Sequence, residues 1–236
     1  MDGAALIFIP AGEFTMGSNA NVDPYFWGAE GPRHTVYLDE YWIYQTEVTN
    51  AMYQQCVAEQ KCPRPAKHIS RTRDSYYDNP QFANYPVIYV SYVHAQAYCR
   101  WAGGALPTEA QWEKAARGDD LRLFPWGDNP PTSGQLNYLN RDTAEVGSFP
   151  RDVSPYGVLD MAGNVWEWVF DYFQAAYYAV SPENNPRGPG TGDRRVIRGG
   201  AFFSDVDAVR TVVRASLKPD ETFDTLGFRC VVTELP

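Results

Sequence analysis

In the run Asp160-Met161-Ala162-Gly163-Asn164-Val165-Trp166-Glu167-Trp168, two carboxylates flank a glycine, an asparagine and an indole. No ordinary helix or strand needs that mixture. Apolar alternation makes Val165 and the tryptophans core residues and leaves Asp160 and Glu167 beside them, where an unpaired buried charge is costly. A hard cation such as calcium, which takes oxygen ligands, is one partner for them. An arginine or backbone N–H groups are the other. The cysteines at 56, 62, 99 and 230 form no Cys-x-x-Cys clasp for zinc, and their spacing alone leaves four buried thiols and two bridges both open. His34, His68 and His94 are isolated in sequence and read as surface or packed residues.

The totals narrow the partners. A chain of 236 residues is long enough to bury a sizeable core. Its 29 acidic against 20 basic residues, net charge -9, argue against a nucleic-acid backbone or an anionic membrane as the main partner. No run of eighteen or so apolar residues is present, so no membrane insertion is expected. The start, Met1-Asp2-Gly3, lacks a charged region followed by an apolar one, so no signal peptide is visible and the compartment stays open. Aromatic residues make up 15%, and Pro and Gly are plentiful, which is the composition of a loop-rich globular fold and not of a helix bundle.

Around these residues the chain reads as short strands and a few helices. Leu6 to Ile9, a Pro/Gly-marked turn and Phe14 to Met16 suggest a hairpin, and His34 to Leu38 and Tyr41 to Tyr44 suggest further strands. Thr49 or Asn50 caps a helix over 51–60 with Met52, Cys56 and Tyr53 on one face, ended by Cys62-Pro63. Residues 64–85 are polar, basic and aromatic without periodicity and read as an irregular loop able to carry function. A strand at Val87 to Val90 leads to Ser91, which caps a helix through Trp101, closed by Gly103-Gly104. Thr108 with Gln111 forms a capping box for a helix whose stripe is Trp112, Ala115 and Ala116. Coil dominates for some fifty residues after Gly118. The strand Arg195 to Arg198 needs the N-terminal hairpins for its sheet, and strand-like runs close the chain, so both ends are expected in one sheet. These features predict one α+β domain over 1–236.

Several collinear segments together resemble the formylglycine-generating enzymes, or sulfatase-modifying factors, which have a modified C-type-lectin-like fold. They are Ile9-Pro10-Ala11-Gly12-Glu13-Phe14-Thr15-Met16-Gly17-Ser18, Glu47-Val48-Thr49-Asn50, residues 98–104, Leu106-Pro107-Thr108-Glu109-Ala110-Gln111-Trp112-Glu113 and Phe124-Pro125-Trp126-Gly127. Residues 156–168, Arg198-Gly199-Gly200 and Gly227-Phe228-Arg229-Cys230 continue the match. The resemblance implies a structural calcium held by Asp160 and Glu167 side chains and the carbonyls of Gly163 and Val165. It implies a second calcium position near Asn137 and the carbonyl of Tyr138, with Asp142 as a further ligand. It also implies a Cys99–Cys230 disulfide, while Cys56 and Cys62 are placed to close locally.

One departure matters. The resemblance implies a copper ion held by two cysteines between the Arg-Gly-Gly and Gly-Phe-Arg-Cys segments, and this chain has Ser204 and Val206 at or near those positions. Thiolates select Cu(I), and neither a hydroxyl nor an isopropyl group replaces them. No copper and no cysteine-dependent oxidation are therefore expected. The favoured reading is a non-catalytic binding module for a protein or small molecule, with its recognition surface in 201–226. Within it, Val209 to Arg214, Pro219-Asp220 and Leu226 to Arg229 resemble the fixed frame of variable proteins made by diversity-generating retroelements. That resemblance implies a ligand face of Phe203, Ser204, Asp205, Asp207, Ala208, Ala215, Leu217, Glu221, Phe223 and Asp224. The alternatives are an oxidoreductase of the same family with non-copper chemistry and a sensor domain of a larger protein.

Overall fold

The computed structural model describes residues 2–234. Its strands are β1 (Leu6–Ile9), β2 (Gly12–Met16), β3 (His34–Leu38), β4 (Tyr41–Tyr44), β5 (Trp166–Tyr172), β6 (Arg195–Arg198), β7 (Ala215–Leu217), β8 (Leu226–Phe228) and β9 (Val231–Val232). Its helices are α1 (Asn50–Ala58), α2 (Tyr92–Trp101) and α3 (Glu109–Arg117). The architecture is α+β, with the strands in three small sheets: β1-β4-β9, β2-β3 and β7-β6-β5-β8.

Helix starts follow their capping chemistry. Thr49, Ser91 and Thr108 each accept from an amide one turn in, and Gln111 returns the bond to the Thr108 amide at 2.8 Å. α3 turns almost every side chain inward, including Trp112, Ala115 and Ala116. Its charged residues find partners there. Arg198 Nη2 donates to Glu113 Oε2 at 2.6 Å, and Arg214 forks onto Glu109 at 2.7 and 2.8 Å. Buried ions are tolerated when paired and hydrogen-bonded in this way. These pairs tie α3 to β6 and to the segment before β7, and so set the base of the 201–214 loop.

Three local expectations need correction. β1 and β2 do not form a hairpin: β1 pairs with β4 and β2 with β3, in different sheets. Lys114 Nζ takes the carbonyls of Pro10 and Gly12 at 2.8 and 2.9 Å, so α3 holds the corner open where a tight turn would have closed it. Residues 87–90 are not a strand, because Tyr89 has φ +56° and a left-handed residue breaks the extended run. β6 draws its sheet from β5 and β7, not from the N-terminal strands. The expectation that both chain ends share a sheet holds, with β1 and β9 on either side of β4.

Both cysteine pairs are bridged. Cys99–Cys230 fastens α2 to the segment between β8 and β9, and Cys56–Cys62 closes the end of α1.

Candidate functional site

Glu167 enters the core near the start of β5, opposite Gly227 of the parallel strand β8. Arg229, just beyond β8, reaches it with Nε and Nη2, both at 2.7 Å, and Trp112 Nε1 adds a third donor at 2.8 Å. The other Arg229 protons go to the carbonyls of Tyr44, Gln45, Leu159 and Asp160 at 3.1 to 3.2 Å. Burial alone would lower the guanidinium's pKa, but the Glu167 charge and its hydrogen bonds outweigh it and hold it above the ordinary value. The cation beside Glu167 is therefore an arginine. Asp160, at φ +55°, accepts the Gly147 amide at 2.6 Å through Oδ2.

Of the expected calcium set Asp160, Gly163, Val165 and Glu167, both Glu167 oxygens already accept from Arg229. Gly163 has a different duty: at φ +79°, a Cβ there would stand 2.3 Å from the Asn137 carbonyl, so the turn needs glycine to approach that strand of coil. At the second expected position the Asn137 side chain is engaged by protein. Asn137 Nδ2 donates to Asn164 Oδ1 at 3.0 Å, and its Oδ1 accepts from Asn140 at 2.8 Å. The Tyr138 hydroxyl turns to the Pro131 carbonyl at 3.3 Å. Asp142 accepts from Ser70 Oγ, Thr72 Oγ1, the Thr72 amide and the Thr143 amide, at 2.6 to 2.9 Å, and faces Arg73 at 3.1 Å. Burial pushes its carboxyl up, but those bonds hold it below the usual value. Asp142 organises the 70–73 loop.

Not every acid here is served so well. Glu47 is 0% exposed and Asp152 1%. Glu47 Oε1 accepts Asn164 Nδ2 at 2.9 Å, while Glu47 Oε2 and both Asp152 oxygens have no hydrogen-bond partner among the described residues. Burial, then the Asp160 charge, raises both carboxyls well above the usual value.

Some 40 residues further on, the 201–226 segment forms a partly open face. Phe203 is 49% exposed, and Phe223, Asp205 and Asp207 are exposed. Ala208, Ala215, Leu217, Glu221 and Asp224 are half-buried. Ser204 departs from the expectation: at 5% exposure it turns inward, its Oγ accepting the Ala201 amide at 3.0 Å. Val206 packs against the cluster of Phe124, Leu136, Ala162 and Val209. The Arg71 guanidinium lies 4.9 and 5.1 Å from the Phe202 and Phe203 ring centres and pairs with Asp224 at 2.9 Å. Tyr89 donates its amide to the Phe223 carbonyl at 3.0 Å, and Lys67 sits over its ring at 5.0 Å. Leu139, 67% exposed, donates its amide to the Ser204 carbonyl at 3.0 Å. A lip of Arg71, Phe203, Phe223 and Leu139 results, with the buried Tyr89 beneath it. Sequence reasoning did not place Arg71, Lys67, Tyr89 or Leu139 on the face. Its one signal was the basic and aromatic composition of 64–85.

All four cysteines are in the two disulfides, so no thiol remains free.

Comparison with known proteins gives a consistent result. Residues 1–234 match the sulfatase-modifying factor enzyme 1-like domain. The chain is 36% identical to the formylglycine-generating enzyme of Streptomyces coelicolor, across 94% of this chain and 87% of that one. It is 34% identical to the serine/threonine-protein kinase pkn1 of Chlamydia caviae across 95% of its own length but only 37% of the kinase. Among solved structures, PvdO from Pseudomonas aeruginosa superposes with a TM-score of 0.85 at 24% identity, covering 99% of this chain and 95% of PvdO. Treponema denticola variable protein 1 gives 0.74 at 22%, covering 99% and 98%. These two likenesses concern the fold.

Proposed function

This chain belongs to the sulfatase-modifying factor enzyme 1-like family, and from that premise we propose that it acts as a non-catalytic binding module on the family scaffold. Its recognition face is the lip around Phe203, Phe223, Arg71 and Asp224, and its ligand is a protein or small molecule. The observation that carries this reading is the fate of the sulfur. Every cysteine is consumed in a disulfide, and Ser204 and Val206, at or near the positions expected to hold copper-binding thiols, are packed against protein. A site without thiolates lacks the ligands that select Cu(I).

The face itself has the make-up of a contact surface. Exposed aromatic rings supply area at low conformational cost, and an arginine already stacked and ion-paired is pre-organised. Its rim carries acidic residues, Asp205, Asp207 and Asp224, beside Arg71 and Lys67, which suits a ligand with both polar and apolar parts. One subclass of this reading is a variable protein of a diversity-generating retroelement. It requires a reverse transcriptase gene and a near-copy template of the C-terminal coding segment nearby, and their absence would remove it.

The test of the main reading is incubation of the chain with copper and a Cys-x-Pro-x-Arg peptide, followed by mass spectrometry. No conversion of cysteine to aldehyde is expected. An aldehyde product that depends on the chain would overturn the proposal in favour of oxidoreductase activity.

The kinase match favours a second reading, in which the domain is the target sensor of a larger signalling protein, since the similarity spans only 37% of that kinase. The full length of the gene decides it.

A further inference from the structure

A cleft of about 420 Å³ opens where α2 ends, and none of its lining residues belongs to the Phe203 face. That is the size of a small-molecule site. Its floor is apolar: Leu38, Leu106 and Val231 are buried and Phe170 is half-buried. Four exposed charged side chains also line it, Arg100, Arg187, Asp39 and Glu40.

Two sets of bonds hold its walls in place. Arg100 occupies the last turn of α2, next to Cys99, and the bridge to Cys230 ties that turn to the residue before Val231. Val231 and Ala105 exchange both backbone bonds at 2.8 and 2.9 Å, and a Cβ on Gly104 would overlap the Val231 carbonyl, so glycine lets the turn after α2 close onto β9. In the second set, the Asn185 amide donates to the Tyr37 carbonyl at 2.8 Å, and the Asn185 side chain exchanges two bonds with Asp39 at 2.9 and 3.0 Å. Arg187 follows on the same coil, its guanidinium 4.6 Å from the Phe170 ring centre.

The charges at this cleft do not neutralise one another. Asp39 is turned to Asn185, and among the described residues neither Arg100 nor Arg187 stands within ion-pair distance of a carboxylate. Two guanidinium groups beside an apolar floor, in a chain of net charge -9, suit an anion with an apolar body. A planar guanidinium matches a carboxylate through two parallel bonds. A phosphate dianion would meet Asp39 and Glu40 at the same opening, where like charges repel; a carboxylate brings less charge to them. We propose that this cleft binds a small monocarboxylic acid, its carboxylate on Arg100 and Arg187 and its hydrocarbon part on Leu106, Phe170 and Val231. Stacking on Phe170 holds Arg187 ready, so little side-chain freedom is lost on binding. The site is independent of whatever the Phe203 face binds.

The experiment titrates the full chain calorimetrically with hydrocinnamate, with the corresponding uncharged alcohol and with inorganic phosphate, on wild type, R100Q, R187Q and F203A, each checked for folding by its melt. Hydrocinnamate is expected to saturate a single site, and the alcohol and phosphate to bind about tenfold more weakly or worse. Each arginine variant should also bind hydrocinnamate about tenfold more weakly, the usual loss of a charge-assisted hydrogen bond. F203A should bind it as wild type does. Should an arginine variant fail to fold, backbone amide shifts of Gly104, Ala105 and Thr233 in the titrated wild type locate the ligand. The proposal is overturned by a wild type that shows neither saturable heat nor shifts, and equally by phosphate binding as tightly as hydrocinnamate, which would make the cleft a bare anion patch. Binding that survives both arginine substitutions, or that F203A abolishes, places the acid elsewhere and overturns it too.

Discussion

Arg229 donates six hydrogen bonds in the core. It pairs with Glu167, bonds the carbonyls of Tyr44, Gln45, Leu159 and Asp160, and is fully buried. Replacing it by Met leaves Glu167 buried with only Trp112 as donor, and the expected loss is about 3–5 kcal/mol in urea unfolding, the usual cost of stranding one half of a buried ion pair. A loss below about 1 kcal/mol would mean that Glu167 has another cation. Asp171 makes a separate prediction. Burial, with the Glu109 charge behind it, pushes its carboxyl up to about 8. A raised native pKa means that the folded state binds the proton more tightly, so this contribution is complete below about pH 4 and is lost as pH rises through about 8. Asp171→Asn, whose amide oxygen can still accept the Glu109 N–H, should flatten stability across that window. An unchanged pH profile would sink the assignment. At this scale the sequence set out the right alternatives for Asp160 and Glu167, a cation or an arginine, but could not choose. The chooser, Arg229, lies 62 residues from Glu167 and meets it only through strand pairing.

Among the elements, the helices were legible because their signals are local. Thr49, Ser91 and Thr108 cap α1, α2 and α3 through bonds spanning three residues. Thr108→Ala should cost about 1 kcal/mol by denaturant titration, and a neutral result would place the stability of α3 wholly in its buried face. Cys99–Cys230 joins α2 to the β8–β9 corner over a separation of 131 residues. In the loop-entropy account, replacing both cysteines with alanine should remove about 4–5 kcal/mol, readable as a lower denaturant midpoint. Strand partners were less legible. The Leu6–Met16 stretch shows two strands and a turn, yet the two strands pair with β4 and β3 and not with each other, and Lys114, a hundred residues away, occupies the carbonyls at the corner between them. Tyr89 shows the same limit, since nothing in a run of β-branched and aromatic residues announces a left-handed backbone.

For the molecule as a whole, the face around Phe203 is separable from the scaffold under it. Phe203→Ala removes an exposed ring whose contacts are Phe202 and Arg71, and its effect on unfolding should stay within about 0.5 kcal/mol. A larger loss would make Phe203 part of the core and weaken the recognition role proposed for it. Arg71→Ala should behave similarly, because an exposed ion pair is worth about 0–1 kcal/mol. Insensitivity of this kind is what lets a rigid domain carry varied contact residues.

The sequence by itself determined the α+β class, the helices, the family, and the lack of cysteines near 204–206. Each of these rests on residue identity or on patterns a few positions long. Only the tertiary structure decided which cation meets Glu167, how the first four strands divide between sheets, and that Ser204 turns inward. Those outcomes depend on charges and strand edges far apart in the chain, whose energies exist only once folding has brought them together and excluded water.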